Sequence, residues 1–429
     1  MDARIVKFTA AALAAGLLCA GCSSSSGHGG ESLSGGPDKG TVRVWFMQDS
    51  IPQPAQDYLK TQFEKQHPGS TLKIEIQQWD DIVAKLQTAM ASEKETPDVV
   101  EIGNTAASTF AGIGAFADLS PMYQELGGRK LIPSFVKAGT ANGKKYALPL
   151  YGGAIVIYYR KDLFEKANIA QAKTLGELVT AAQKVKAANP DKHRKFQGIY
   201  LPAADNHFME AWIFSHGANY AKQNSDGTWK GTLATPQAKA GIAMLQELWK
   251  TAALGGQDSS EQGAAPWVPY NNGEVAIISG RTFAEPNISP NMKKNTAVMA
   301  IPPVQEGGVG HSFSGGSSIG ISAKSQVKSL SRDALKLIYS KEFQTRVAAQ
   351  GWIPGNTAYA GAVPKGLASG QLQQQIASTA VLTPAAENWA VVQGNNIPAD
   401  FWAKLARGGD VDQLAKDTDQ KIEEVLNKK

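Results

Sequence analysis

Val42-Arg43-Val44-Trp45-Phe46, Leu72-Lys73-Ile74-Glu75-Ile76-Gln77 and Val99-Val100-Glu101-Ile102 are short β-prone runs, and helical segments separate them. Tyr58, Leu59 and Phe63 recur at helical spacing between Gln53 and Gln66, and Ile82, Leu86 and Met90 share one face of a helix that starts near Asp81. His67-Pro68-Gly69 ends the first helix, and Thr96-Pro97-Asp98 breaks the chain before the third strand. Strand and helix alternating in this way imply an α/β fold with a parallel sheet and right-handed crossovers.

The alternation resumes farther along. Ile155 to Tyr159 reads as an apolar strand, and Thr174-Leu175-Gly176-Glu177 as a capping box opening a helix through Leu178, Val179, Ala182 and Val185. Thr235-Pro236 opens another helix, with Ile242, Leu245 and Trp249 inward. Val275 to Ile278, Ala297 to Ile301 and Ile319 to Ser322 are further strands, followed by a helix through Leu337 and Phe343 and a helical tail. At 429 residues the chain exceeds what one compact core usually holds, so two lobes are expected.

The amino terminus predicts export. Arg4 and Lys7 precede the apolar run Phe8 to Ala20, and Ala20-Gly21-Cys22 follows, the pattern of a signal peptide over residues 1–21. The only cysteines are Cys19 and Cys22. A redox or zinc C-x-x-C does not fit, because Cys19 lies in the segment to be removed and no second pair exists. The better reading is a lipobox with Cys22 as the lipidated first residue, although Cys19 stands where the pattern usually has Leu. Residues 22–40, rich in Ser and Gly, then read as a flexible tether. Removing Arg4, Lys7 and Asp2 takes the formal net charge from +5 to +4, far from the clustered basic surface of a nucleic-acid binder.

No P-loop or H-E-x-x-H motif is present, and the histidines at 28, 67, 193, 207, 216 and 311 show no metal-ligand spacing. No cofactor or metal is therefore expected. A pair of glycosidase acids could still meet in the fold, which leaves a secreted glycoside-active hydrolase as the alternative.

Several phrases, in their order and spacing, resemble the carbohydrate-specific solute-binding proteins of ABC importers, most of all the actinobacterial lipoproteins that bind chitobiose or cellobiose. They are the lipobox and tether, Thr96-Pro97-Asp98-Val99-Val100, Gly143-Lys144-Lys145-Tyr146-Ala147-Leu148-Pro149 and Tyr158-Tyr159-Arg160-Lys161-Asp162-Leu163-Phe164. Asn272-Gly273-Glu274-Val275-Ala276, Gly315-Gly316-Ser317-Ser318-Ile319-Gly320-Ile321 and Gly351-Trp352-Ile353-Pro354 complete the set. The resemblance implies a two-lobed periplasmic-binding-protein-like fold of type II with a hinge and a cleft. It would divide the chain into a first lobe of 41–151 plus 311–349 and a second of 152–310 plus 350–429. It also implies a monomer held at the outer face of the cell membrane, delivering a short oligosaccharide to permease subunits and breaking no bond. The same fold could instead bind a peptide, a polyamine or a metal chelate, the last through Tyr158-Tyr159.

A sugar needs aromatic rings for its C–H faces and paired donors and acceptors for its hydroxyls. In an open α/β lobe such groups stand at the carboxyl ends of strands. Gln48 and Asp49 follow the first strand, Trp79 the second and Asn104 the third. Asn206 and Trp212 lie in a loop and early helix of the second lobe, where Trp212 is preferred to His207. Arg281 stands where relatives often carry Gly-Pro-Trp, and its guanidinium could fork to hydroxyls. Gly316 comes where the chain crosses between lobes and Trp352 where it crosses back, while Trp389 matches a cleft tryptophan of several relatives. Each could equally be a turn, cap or core residue; Trp352 and Trp389 are the preferred platforms.

Overall fold

The computed structural model describes residues 33–79, 82–203, 205–253, 266–367, 369, 372, 379 and 381–428. Cys22 and the signal segment lie outside the described residues, as does Asp80. The strands are β1 (Thr41–Met47), β2 (Thr71–Gln77), β3 (Val99–Gly103), β4 (Thr140–Ala141), β5 (Lys144–Lys145) and β6 (Leu148–Arg160). They continue as β7 (Gln197–Ile199), β8 (Ala221–Gln223), β9 (Trp229–Gly231), β10 (Val275–Arg281), β11 (Thr296–Met299), β12 (Ser314–Ile321) and β13 (Ile353–Pro354). The main sheet runs β2-β1-β3-β12-β6-β10-β7, with β11 and β13 also paired to β6.

β1 pairs in parallel with both β2 and β3, and it is covered on both faces. Val42, Val44 and Phe46 face one core with Leu59 and Phe63 of the helix Gln53–Gln66, while Trp45 and Met47 face another with Leu86 and Met90 of the helix Ile82–Ala91. A parallel strand flanked by helices must be apolar on both sides, which is why Val42-Arg43-Val44-Trp45-Phe46 does not alternate cleanly. Arg43 is the polar interruption, and its guanidinium donates to Glu75 on β2 at 3.0 and 3.3 Å.

The expected strand Ile155–Tyr159 is the second half of a longer one. All thirteen residues of β6 are buried, and the two halves belong to different cores. Leu148, Leu150 and Tyr151 pack in the first lobe, whereas Ile155, Ile157 and Tyr159 pack in the second with the helices Leu175–Ala188 and Pro236–Thr251. β6 thus carries the chain across the lobe boundary, and β12 runs antiparallel beside it, Gly316 opposite Gly152. The threonine caps form as expected: Thr174 accepts from Glu177 N–H and Thr235 from Ala238 N–H.

Three residues pack on the other side of the expected boundaries. Leu33 is only 8% exposed in the first core, and Gly35 exchanges hydrogen bonds of 3.0 and 3.1 Å with Ser329, so residues 33–40 are docked rather than slack. The apolar Leu33 side chain overrides the Ser/Gly composition around it. Phe313 packs in the second core and Trp352 in the first. A further contact joins the lobes away from β6. The helix Trp389–Gly394 places Trp389 in the core of the second lobe and Ala390 in the first-lobe core that holds Trp45, Met47 and Leu86. Thr109 Oγ1 donates to Glu387 O and accepts from Ala390 N–H at 3.4 Å, and Ser108 Oγ donates to Ala386 O at 3.2 Å.

Candidate binding cleft

β1 ends at Met47, and the chain turns through Gln48 and Asp49, both exposed, with Asp49 in the left-handed region at φ 57°. Gln48 Nε2 donates to Asp49 Oδ1 at 3.1 Å. Trp79, just beyond β2, is 41% exposed, and its Nε1 donates to Gln48 O at 3.1 Å. Its ring lies beside Gly103, where an added Cβ would come within 3.6 Å of it. Among the described residues Trp79 is the only aromatic counted with the exposed large hydrophobic side chains, and it is held in place at the ends of three strands.

Contacts run from this rim across the hinge. Asn104, buried after β3, donates its backbone N–H to Gly316 O at 3.0 Å. A Cβ at Gly316 would lie 2.3 Å from Tyr151 O, so only glycine permits β12 to approach β6 this closely. The Tyr151 ring meets Trp352 edge-on at 4.2 Å, Trp352 stacks on Phe283 at 3.3 Å, and the Arg281 guanidinium lies 5.9 Å from the Phe283 ring. Arg281 ends β10 on the second lobe and is exposed. Gln48, Asp49, Trp79, Asn104, Gly316, Trp352 and Arg281 therefore lie along one chain of contacts at the lobe boundary, with Gln48, Asp49, Trp79 and Arg281 exposed and Asn104 and Trp352 buried.

Asn206 begins the helix Asn206–Ser215 beside β10, to which its neighbour Asp205 is tied by a 2.5 Å bond from Ser279 Oγ. Its Oδ1 is buried and has no hydrogen-bond partner.

Neither of the two preferred platforms, Trp352 and Trp389, nor the candidate Trp212 presents an open ring face. Trp212 and Trp389 are both 0% exposed in the second core, Trp212 edge-on to Phe208 at 6.1 Å and Trp389 tilted 5.3 Å from Tyr220. A ring with no open face cannot stack on a ligand, and burial of its large apolar area is the stronger demand here. Trp352 is 7% exposed, with one face taken by Phe283, so it backs the hinge rather than presenting a platform. Tyr158 and Tyr159 point to opposite faces of β6, and their hydroxyls donate to Arg281 O and Gln171 Oε1, so they do not form a paired-tyrosine iron site. Among the described residues no group of three His, Cys, Asp or Glu is placed to hold a metal.

Beneath these contacts lies a residue that the sequence places inside a strand, facing the core boundary, and that is not among the expected site residues. Glu101 is fully buried in the middle of β3, where it accepts from Met47 N–H at 2.9 Å, Ser50 Oγ at 2.7 Å and Tyr151 OH at 2.9 Å. Ser317 Oγ donates to Tyr151 OH at 2.9 Å. Burial pushes the Glu101 carboxyl above its usual range despite these donors. Burial, with the nearby Glu101 charge, also raises the Tyr151 hydroxyl. The one available signal was a carboxylate inside an otherwise apolar strand.

Residues 59–374 match the family of bacterial extracellular solute-binding proteins. The chain belongs to that family. This solute-binding protein is 27% identical to the diacetylchitobiose binding protein DasA of Streptomyces coelicolor over 91% of its own length and 89% of the relative's. Its fold matches the GacH receptor of Streptomyces glaucescens, crystallised without ligand and with acarbose, at a TM-score of 0.75 and 19% identity, covering 91% of this chain and 99% of that one. Maltose-bound MalE3 of T. maritima matches at 0.77 and 20%, covering 90% and 100%. These likenesses show a mixed α/β, two-lobed architecture. No helix among the described residues of this solute-binding protein is long and apolar enough to cross a membrane.

Proposed function

We propose that this protein is the extracytoplasmic receptor of an ABC importer for a disaccharide or short oligosaccharide, trapping the sugar by hinge closure without breaking a bond in it. The anchored, open ring of Trp79 at the strand ends carries this reading, because it offers an apolar face where a sugar's C–H face would stack. Gln48 and Asp49 on one lobe and Arg281 and Asn206 on the other supply groups suited to hydroxyls, and a ligand that touches both lobes favours the closed state. The names of relatives that bind diacetylchitobiose, lactose and maltose support the sugar class. Release of residues 1–21 and lipidation of Cys22 would hold a monomer at the outer face of the membrane.

Calorimetric titration of the chain from residue 23 against chitobiose, diacetylchitobiose, cellobiose, maltose, trehalose and xylobiose tests the proposal, with each sugar recovered by chromatography. Saturable binding with the sugar returned intact is expected. Cleaved sugar would establish a hydrolase, and absence of binding across the panel would overturn the oligosaccharide assignment.

A further inference from the structure

Glu101 reaches four segments from one buried position. Its Oε2 accepts from Met47 N–H and Ser50 Oγ, the residues immediately before and after Gln48 and Asp49. Its Oε1 accepts from Tyr151 OH on β6, and that hydroxyl in turn accepts from Ser317 Oγ on β12. The carboxylate thus grips both ends of the exposed turn and ties it to the two strands that run side by side at the lobe boundary. The grip also helps to hold Asp49 at φ 57°, a left-handed conformation that Asp tolerates better than most non-glycine residues but still adopts at some cost. The turn also carries Trp79, whose indole hangs from Gln48 O. A buried carboxylate is expensive as core filling, and an apolar residue would pack β3 at lower cost.

We infer that Glu101 is the positioning residue of the cleft: without touching the ligand, it presets the Gln48–Asp49 turn and couples that turn to the hinge through Tyr151. The affinity part of this inference rests on the oligosaccharide reading above; the positioning part does not. A preset turn leaves less ordering to be done on binding, which appears mainly as slower ligand release.

The test compares wild type, Glu101→Ala, Glu101→Gln and Tyr151→Phe in the mature chain. Hydrogen–deuterium exchange of peptides covering residues 44–51 is set against peptides covering β2, and sugar binding is followed by calorimetry and stopped flow. Glu101→Ala is expected to speed exchange at 44–51 by on the order of ten-fold or more, the size of losing a hydrogen bond to a charged group, with β2 unchanged. Sugar affinity should fall by a similar factor, mostly through faster release. Glu101→Gln, which keeps one acceptor oxygen, should recover part of both losses. Tyr151→Phe removes the link from Glu101 to β6 and, with it, the bond from Ser317 on β12, but neither bond to the turn, so it should leave exchange at 44–51 near wild type while still weakening the sugar. Should Glu101→Ala fail to fold, the Gln and Phe variants decide. Equal acceleration of exchange across the first lobe would reduce Glu101 to a structural residue and overturn the inference, as would unchanged affinity in every variant that folds. If wild type binds no sugar in the panel, the oligosaccharide reading fails, and the exchange arm still decides whether the clamp exists.

Discussion

An open tryptophan on the rim of the first lobe and two buried tryptophans in the core of the second are placed in opposite ways. On the rim of the first lobe Trp79 is 41% exposed and its nitrogen is satisfied by Gln48 O, whereas Trp212 and Trp389 in the second lobe are 0% exposed with indole nitrogens that find no partner. A ring kept open with its polar atom tied down is arranged for contact with something else. A ring buried at the cost of an unpaired N–H is there for its volume. Aromatic residues that the sequence places near strand ends therefore divide by exposure into one with an open face free to stack and others whose buried rings hold the lobe together.

The largest effect expected from this contrast is in stability. Trp389→Ala should lower the free energy of unfolding by about 3–5 kcal/mol in a urea titration, with the folded fraction binding sugar near wild-type affinity. A ten-fold loss of affinity at unchanged stability would instead make Trp389 a ligand platform and break the comparison. Next comes Trp79→Ala, which should weaken binding at least ten-fold, about 1.4 kcal/mol, while the unfolding midpoint stays put. Trp79→Phe, keeping a ring face, should retain more of the affinity in the same titration.

The contact between lobes gives a smaller effect. Thr109→Ala removes the hydroxyl shared by Glu387 O and Ala390 N–H, the net worth of a hydrogen bond or two. It should shift the lobe angle seen by small-angle scattering of the sugar-free protein and change affinity by about two- to five-fold, up to about 1 kcal/mol. Identical scattering and affinity would show that β6 and β12 alone set the angle.

The smallest effect lies on the outer edge of the first lobe, away from the cleft. Burial alone would raise the Glu75 carboxyl, yet hydrogen bonds from Arg43, Lys73 and the Trp45 indole, with the Arg43 charge, hold it at about 2. A carboxyl depressed in the folded state adds stability above its unfolded value near 4.5, and that stability fades as pH falls toward 2. Glu75→Gln should therefore cost under about 1 kcal/mol at pH 7, and the gap to wild type should close on acidification through that window. A gap that widened in acid would contradict the assignment. Sugar affinity at pH 7 should not change.

The fold was legible because its signals are local. Helical spacing from Tyr58 to Phe63, the Thr174 and Thr235 caps and the breaks at His67 and Thr96 each act within a few residues, and the structure forms elements there. The rim was partly legible for the same reason, since strand ends mark where Gln48, Asp49, Trp79 and Asn104 must emerge. Glu101 was not, because its partners at Met47, Ser50 and Tyr151 are remote in sequence and only the folded sheet brings them together.

By itself the sequence determined the order of strands and helices, the two-lobed plan and the strand-end loops, because hydrophobic periodicity and capping are short-range physics. Only the tertiary structure decided that Trp389 and Trp212 are core while Trp79 is open, that Leu33 docks the end of the expected tether, and that a buried carboxylate stands under the cleft. Those outcomes depend on which surfaces remain uncovered after all elements have packed, and burial is a property of the whole assembly rather than of any one segment.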